Sequence, residues 1–512
     1  MLNLLKVSNK KQVVYGVILS YTLIFANAIY GFIIAPFIML HVGMSDYGVY
    51  QTIASLSNTL VVLDIGIGGA VMKFTAEYNA KGCLENVGKL LKASFLLSFG
   101  IVIVIVLIGL FILYRFPAYY GDSFTGEEIA LGQKMIFLFL LNICLIFIDD
   151  LVMGVISGMN RLVISNGIGL LKVLLRYVFI LVLVPIIKST IVIIEINLLL
   201  TLAFFAVELY LTRSYLKYIK VKERIDFSYF KEIFKYSSYI IIGGIINQVN
   251  SNLDNVIIGA KLGTYYVTIY SFALTLFAAY ENLATSISKN LLPTVTKHYF
   301  ESPNSLQPFV VKIGRAQFLL LGAALFGFLV LGQKFVECWL GTTFKDVYII
   351  GIILLTPATL ELCVNTCLTI LRAANKLGFR TIILCATTII NLFITIWGVG
   401  YFGYVAAAVG TAVSVVLGSL IIMNIYYYKE ININIVRVYY GIFKGVLPCL
   451  MIASITTYFM DKCLKVSWLS VVVEIFLFLV LYFISLWFWG LNAEEKSICT
   501  NTLNKLFKKS NL

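Results

Sequence analysis

Long apolar segments with almost no charge restrict what this chain can fold into. The first runs from Val13 to Leu40 and follows the basic start MLNLLKVSNKK. A membrane-spanning helix needs about 20 mostly apolar residues, whereas the hydrophobic part of a cleavable signal peptide needs only about 7–15. The regular alternation of a β-barrel strand is absent, so helices are the only option for crossing the bilayer. The sequence therefore predicts an all-α polytopic membrane protein without a signal peptide.

The composition agrees with this fold class. The 512 residues are 60% hydrophobic and 12% charged, whereas soluble domains are about 45–50% apolar and about 25% charged. About fourteen segments are long and apolar enough to span. They are predicted at 13–40, 47–72, 89–114, 132–158, 162–187, 190–213, 233–260, 266–292, 311–333, 347–371, 378–399, 403–428, 436–460 and 467–490.

The positions of the basic residues explain the net charge of +14. With the N-terminus inside, 30 of the 39 Lys and Arg residues fall in inside segments and 8 in outside segments. Cytoplasmic loops of membrane proteins are enriched in these residues. The pattern predicts fourteen helices with both termini cytoplasmic, and it argues against a nucleic-acid partner. A basic inner rim also suits anionic lipid head groups.

A short internal echo indicates two related halves. HVGMSDYGVYQTIAS follows the first predicted helix, and KLGTYYVTIYSFALT follows the seventh. Aligning Gly43 with Gly263 pairs Tyr50 with Tyr270. An offset of six helices gives both halves the same orientation, as in transporters built from parallel repeats. The alternative is a chance similarity between two hairpin turns.

The longest inside segment separates the two halves and contains KYIKVKERIDFSYFKE. It predicts a boundary between two six-helix lobes, with a helix pair appended at the end. The predicted parts are an N-terminal lobe at 1–213, a cytoplasmic linker at 214–232, a C-terminal lobe at 233–428, helices thirteen and fourteen within 429–490, and a cytoplasmic tail at 491–512.

The seventh predicted helix has a polar face. Gly243, Asn247, Asn250 and Asp254 are spaced i, i+4, i+7 and i+11, so they form one stripe. A helix that faces lipid would not tolerate such a stripe. It either makes interhelical hydrogen bonds or lines a hydrated central cavity. We expect the cavity, and we expect Asn27 of the first helix to border it.

The fifth predicted helix carries Lys172 and Arg176 on one face. Arg176 lies about 16–20 Å from the inner end at ~1.5 Å per residue. The turn near Arg161 puts Asp149 or Asp150 of the fourth helix at the depth of Lys172. The cations either form a purely structural salt bridge or serve an anionic substrate, with the acids tuning their charge.

Other intramembrane charges are candidates for function because such charges are costly. Asp64 lies about 12–13 Å inside the basic end at Lys73, and we expect both residues to border the cavity. Glu281 and Glu361 join Asp64 and Asp254 as possible ion-coupling acids. Glu208 lies near a helix end, and its position favours packing or snorkelling.

No enzyme signature is present. There are only two histidines, and the nine cysteines contain no CxxC pair, which argues against metal or histidine-based chemistry. The GIGG stretch lacks the strand–turn–helix setting of a phosphate loop. We therefore expect a transporter with no cofactor and no metal site.

Three stretches resemble the polysaccharide-type flippases, the Wzx-like O-antigen and capsule unit translocators of the MOP superfamily. They are SYTLIFANAIYGFIIAPFIMLHVGMSDYGVYQTIASL with LDIGIGGAVMKFTAEYNAKG, NQVNSNLDNVIIGAKLGTYYVTIYSFALTL with LLPTVT, and YFGYVAAAVGTAVS. The resemblance extends over roughly residues 15–425. It implies two six-helix lobes, a V-shaped central cavity and alternating access in a bacterial cytoplasmic membrane.

The resemblance also implies a substrate. This would be an undecaprenyl-diphosphate-linked oligosaccharide moved from the inner to the outer leaflet. Lys172, Arg176 and Lys73 could bind the diphosphate, and Asn247 and Asn250 could bind the glycan. Membrane lipids, H+ or Na+ and a polysaccharide polymerase are the other expected partners. Related lipid II flippases carry arginines in their first helix, which is uncharged here, so a surface polysaccharide unit is the expected cargo.

Two other functions stay open at this stage. A cation-coupled multidrug antiporter of the same superfamily would favour an acid-lined cavity, which Asp64, Asp254, Glu281 and Glu361 could supply. A membrane-embedded polysaccharide enzyme fits less well, because such enzymes typically have a large outside loop or catalytic histidines. Loss of surface polysaccharide with unchanged drug tolerance on deletion of the gene would exclude the antiporter.

Overall fold

The structure is a computed structural model, and every regular element in its described residues is a helix. It describes residues 9–62, 65–159, 161–216, 227–288, 292–301, 305–374, 376–497 and 500. The predicted all-α fold class is confirmed. The chain divides into two compact units, which are described separately below.

The first unit comprises Met1–Ser271 and Ile394–Ala407. One of its apolar cores lies among α4, α5 and α6. Its helices are α1 (Asn9–Ile29), α2 (Ala35–Val42), α3 (Met44–Val61), α4 (Ile65–Ala80), α5 (Leu84–Tyr120), α6 (Gly126–Gly158), α7 (Leu162–Ile187), α8 (Ile191–Leu216), α9 (Phe227–Leu262) and the first turns of α10 (Thr264–Ser288).

The second unit comprises Phe272–Phe393 and Ala408–Leu512. It holds the rest of α10, most of α15 and of α16, and the remaining helices. Its largest core packs α12 against the last helices of the chain. The further helices are α11 (Leu292–Glu301), α12 (Leu306–Leu340), α13 (Asp346–Cys363), α14 (Asn365–Ala373), α15 (Gly378–Phe402), α16 (Val405–Ser414), α17 (Met423–Ile431), α18 (Ile435–Phe443), α19 (Val446–Asp461) and α20 (Trp468–Ser485).

The chain is a multi-pass membrane protein. Within the described residues, ten helical segments are long and apolar enough to span, and twelve spans result if each of two bent helix pairs counts as one. The first pair is α3 with α4. The second pair is α18 with α19, and the angle between these two helices is 46°. The long helices α9 and α10 are not among these spans, and α9 carries the predicted polar stripe. The count of fourteen stays a prediction.

Several predicted spans are interrupted. A π-helical turn at Tyr30–Ile34 joins α1 to α2, and a longer π-helical segment at Val415–Ile422 joins α16 to α17. Val364 separates α13 from α14. Hydropathy does not reveal such breaks because the apolar composition continues through them. π-Helical turns often occur at functional sites.

The two echoed turns share a backbone conformation and touch each other in the first unit. Gly43 has φ +91° and Gly263 has φ +93°, a region that residues with a side chain rarely adopt. The hydroxyl of Thr268 donates to the carbonyl oxygen of Met44 at 2.7 Å. A Cβ added to Gly48 would overlap the carbonyl oxygen of Thr264. The small residue therefore permits close packing of α3 against the start of α10.

In the second unit, buried charges attach the last helices to α12. Lys334 Nζ on α12 lies 2.6 Å from Asp461 Oδ1 on α19 and 2.8 Å from Glu474 Oε1 on α20. Near the other end of α12, Arg315 Nε donates to Glu495 Oε1 at 2.7 Å. Its Nη1 donates to the carbonyl oxygen of Lys444 at 2.6 Å. The appended helix pair is thus held by the Lys334 ion pairs at one end of α12, and the segment after it is held by the Arg315–Glu495 pair near the other end.

Candidate functional site

A cavity of about 490 Å³ lies within the first unit, among α1, α3, α6, α7 and α8. Its volume falls in the range of about 300–1,000 Å³ that is usual for small-molecule sites. Apolar side chains of all five helices form part of the wall. The polar side chains in the wall are Asn27, Tyr50, Ser57, Asn58, Asn142, Lys172, Arg176, Asn197 and Thr201.

Helix α7 supplies both cations of the cavity. The structure gives this helix its predicted bounds, and Gly169, Lys172 and Arg176 line the cavity together. Their spacing of three and four residues keeps them on one face. Gly169 contributes no side chain, which leaves space beside the two cations.

Lys172 lies between two carboxylates. Its Nζ is 2.7 Å from Asp149 Oδ2 on α6 and 3.2 Å from Glu208 Oε1 on α8. The Glu208 side chain is 0% exposed and that of Asp149 is 10% exposed, while Lys172 keeps 20% exposure at the cavity wall. Asp149, Lys172 and Glu208 form the charge triad. The neighbouring Asp150 is exposed.

Arg176 is held by aromatic rings. Its guanidinium carbon lies 5.3 Å from the ring centre of Tyr30 and 5.5 Å from that of Tyr177, which is within the range of cation–π attraction. Tyr30 belongs to the π-helical turn, and the Tyr177 hydroxyl donates to the carbonyl oxygen of Ala26 at 3.0 Å. No ion pair found among the described residues includes Arg176.

The polar stripe of α9 has a different setting. Asp254 is 2% exposed, accepts a 2.6 Å hydrogen bond from the Tyr270 hydroxyl, and lies 3.4 Å from the hydroxyl of Thr395. Asn250 is half-buried and Asn247 is exposed. None of the four stripe residues lines the cavity of the first unit.

Two further polar residues of α9, Gln248 and Asn255, bind α3. The Asn255 amide donates to the Ser55 hydroxyl at 3.1 Å, and the Gln248 amide donates to the carbonyl oxygen of Asn58 at 2.8 Å. These contacts are interhelical hydrogen bonds, one of the two interpretations that the sequence allows for the polar face.

Of the remaining predicted residues, those that the structure describes are not in the wall of this cavity. Asp64 lies outside the described residues. Lys73 is exposed, with its Nζ 5.0 Å from the ring centre of Phe74. In the second unit, Glu281 is exposed, and Glu361 Oε1 accepts a 2.8 Å hydrogen bond from the Ser419 hydroxyl.

Sequence reasoning missed three polar residues of the cavity wall, and Glu208 behind the wall, that its own spacing rule could have found. Asn197, Thr201 and Glu208 are spaced i, i+4 and i+11 on α8, and Asn142 precedes Asp149 by seven residues on α6. Both patterns put polar groups on one helix face. Glu208 forms an ion pair with Lys172. The sequence pattern predicted only packing or snorkelling for Glu208 and did not predict this ion pair.

Within the part of the chain that the structure describes, no group of three or more His, Cys, Asp or Glu side chains could hold a metal ion. The cavity instead offers a guanidinium, an ammonium held by acids, carboxamides and hydroxyls. These groups bind anions and hydroxyl-rich ligands.

Solved membrane transporters share this fold. The lipid II flippase MurJ in an inward closed conformation aligns with a TM-score of 0.69 at 12% identity, covering 92% of this chain and 98% of that chain. An inward-facing multidrug resistance MATE family transporter of the MOP superfamily aligns with a TM-score of 0.65 at 13% identity, covering 79% and 94%. Identities this low show the fold alone, and they confirm the predicted MATE/MOP-like architecture.

Sequence comparisons narrow the family. The "Probable low-salt glycan biosynthesis flippase Agl15" of Haloferax volcanii is 25% identical over 194 residues, which are 37% of this chain and 41% of the relative. The chain thus matches less than half the length of this curated relative. A family profile described as "Polysaccharide biosynthesis protein" matches residues 13–298, more than half of the chain. The chain belongs to this family of polysaccharide biosynthesis proteins, as the resemblance in its sequence predicts.

Proposed function

We propose that this chain is a flippase that moves undecaprenyl-diphosphate-linked oligosaccharide units from the inner to the outer leaflet of the cytoplasmic membrane by alternating access. The product would supply the synthesis of a surface polysaccharide. The observation that carries the proposal is the cavity of the first unit, which is lined by Arg176 and by several carboxamides. The family and the flippase named among its relatives support the same activity.

Arg176 is the proposed contact for the lipid-linked diphosphate. A guanidinium presents a planar fork of N–H donors that matches phosphate oxygens. The rings of Tyr30 and Tyr177 limit its movement, so little rotamer freedom remains to be lost on binding. Low dielectric inside the membrane strengthens its attraction for an anion.

The carboxamides are the proposed contacts for the glycan. Asn27, Asn58, Asn142 and Asn197 each offer two N–H donors and an acceptor oxygen, and Thr201 adds a hydroxyl. Sugar hydroxyls donate and accept in the same way. The apolar part of the wall fits the carbon faces of sugar rings. Asn247, Asn250 and Asp254 remain proposed contacts for a later stage of transport, as do Asp64 and Lys73.

The remaining assignments follow from the same activity. We place both termini in the cytoplasm because of the distribution of Lys and Arg residues. Membrane lipids are direct neighbours, and a polymerase acting on the flipped unit is the expected downstream partner. H+ or Na+ is the candidate coupling ion, with Asp64, Asp254, Glu281 and Glu361 as candidate acids.

Reconstitution of the full chain in liposomes tests the proposal. A prenyl diphosphate sugar with a fluorescent group on the glycan is added to both leaflets, and dithionite outside bleaches only the outer pool. We expect protein-containing liposomes to lose the protected half of the signal, whereas empty liposomes keep it. If the protein leaves that half protected but exports a fluorescent cationic dye on an ion gradient, the flippase proposal is wrong and the antiporter is favoured.

A further inference from the structure

We infer that the charge triad of Asp149, Lys172 and Glu208 is a specificity device that admits a neutral sugar next to the lipid phosphate and rejects an acidic sugar. This inference rests on the proposed function, because it assumes that the cavity holds a phosphate-linked glycan. It assigns to the triad a role in choosing the glycan rather than in holding the diphosphate.

The two cations of the cavity differ in their surroundings. Lys172 and Arg176 are one turn apart on α7, which puts their Cβ atoms about 5–6 Å apart. Lys172 has carboxylate oxygens at 2.7 Å and 3.2 Å. Arg176 has two aromatic rings and, among the described residues, no carboxylate within ion-pair distance. Only Arg176 therefore presents a positive charge that nearby acids do not balance.

The charges of the triad show why it does not attract a sugar carboxylate in addition to the diphosphate at Arg176. One ammonium faces two carboxylates. If either acid is ionised, the charge of Lys172 is balanced, and if both are ionised the triad is net negative. A ligand carboxylate could bind Lys172 only by drawing it away from Asp149 or Glu208. That step would leave a buried acid without its partner, which is strongly unfavourable.

The triad lies where the first sugar would be. Lys172 precedes Arg176 by one turn, on the side of α7 that the topology proposed from the Lys and Arg residues places nearer the cytoplasm. A glycan loaded from the cytoplasm, with its phosphate on Arg176, would extend past Lys172. The sugar adjoining the phosphate would then contact Lys172, the triad member in the cavity wall, with Asp149 and Glu208 behind it. A sugar carboxylate there would meet an ammonium whose charge the two acids already balance or exceed. Repulsion of a competing ligand is a common route to specificity.

A matched pair of probes tests the inference. Short-chain prenyl diphosphate glucose and prenyl diphosphate glucuronic acid differ only in the oxidation state of C6. Their Kd values are measured with the purified full chain in nanodiscs, using intrinsic fluorescence. We expect the native protein to bind the glucose probe at least about tenfold more tightly, since like charges in a buried site are strongly disfavoured. Equal Kd values for the two probes would overturn the inference.

Charge variants give a graded test. Asp149→Asn and Glu208→Gln each remove one acid, so each should reduce the preference for glucose. The double variant leaves Lys172 without an acid and should reverse the preference towards glucuronic acid. The matched controls are Asp150→Asn beside the first position and Glu195→Gln on the same helix as the second, since both side chains are exposed. Both controls should keep the native ratio.

The outcomes separate the two proposals. Arg176→Gln should weaken both probes to a similar extent. If Arg176→Gln changes neither Kd, or neither probe binds, the proposed function fails. If both probes depend on Arg176 but the double variant keeps the native ratio, the proposed function survives and the role of the triad is wrong. Size-exclusion profiles identify any variant that does not fold. The ratio of the two Kd values in the native protein tests the inference without any variant.

Discussion

Lys172 Nζ on α7 lies 2.7 Å from Asp149 Oδ2 on α6, and this ion pair links two helices of the first unit. Glu208 approaches the same ammonium from α8, at 3.2 Å. Three successive helices therefore meet at one lysine. Breaking a buried ion pair by removing one partner typically costs about 3–5 kcal/mol, because the other charge stays buried.

Lys172→Met should therefore lower the free energy of unfolding by about 3–5 kcal/mol. Thermal denaturation of the purified protein in detergent, followed by tryptophan fluorescence, measures the loss. Lys81→Met is the control, since Lys81 and Glu77 form an exposed pair. Such a pair contributes about 0–1 kcal/mol. A melting temperature for Lys172→Met equal to that of the control would contradict a structural role for the triad.

Gly48→Ala tests the close contact between α3 and the start of α10. The added Cβ would overlap the carbonyl oxygen of Thr264, and overpacking of this kind costs about 1–3 kcal/mol. We expect a lower melting temperature and a smaller monodisperse fraction. Gly69→Ala on α4 is the matched control, because its Cβ would meet nothing within 4 Å. If both variants melt alike, the close approach seen at Gly48 is wrong.

Lys334→Met tests how the last helices are attached to the second unit. The side chain is 8% exposed and binds Asp461 on α19 and Glu474 on α20. Its loss leaves the buried Glu474 and the partly exposed Asp461 without this partner, so we expect destabilisation of about 3–5 kcal/mol. Lys345→Met removes a more exposed partner, 3.6 Å from Glu337, and should change the melting temperature little. Equal melting temperatures for the two variants would argue against this attachment.

Helical periodicity predicted the common face of Lys172 and Arg176, because a regular helix fixes that geometry. Residues equally far from the turn near Arg161 lie at equal depth, which placed Asp149 or Asp150 beside Lys172. This count could not choose between the two aspartates. Asp149 and Asp150 differ in direction by about 100°, and the choice depends on which face of α6 meets α7. The structure puts Asp149 at the ion pair and leaves Asp150 exposed.

Other features depend on contacts that sequence spacing does not encode. Spacing puts Glu208 on the same face of α8 as Asn197 and Thr201, but the hairpin argument relates α6 to α7 only, so it does not show that this face meets Lys172. The π-helical turn that contains Tyr30 has the same apolar composition as the helix around it. The asparagines of α9 look equivalent in sequence, yet Asn255 binds Ser55 of α3 while Asn247 is exposed.

The most direct test of the account is the flipping rate of Arg176 variants in the liposome assay, at a substrate concentration below saturation. Hydrogen bonds to charged groups contribute about 1.5–3 kcal/mol, and each 1.4 kcal/mol is about a tenfold change. Arg176→Gln should therefore slow flipping at least about tenfold, and Arg176→Lys should restore part of the rate, since it keeps the charge but loses the planar fork. Arg213→Gln, at an exposed position on α8, should match the native rate. A native rate for Arg176→Gln would contradict the account.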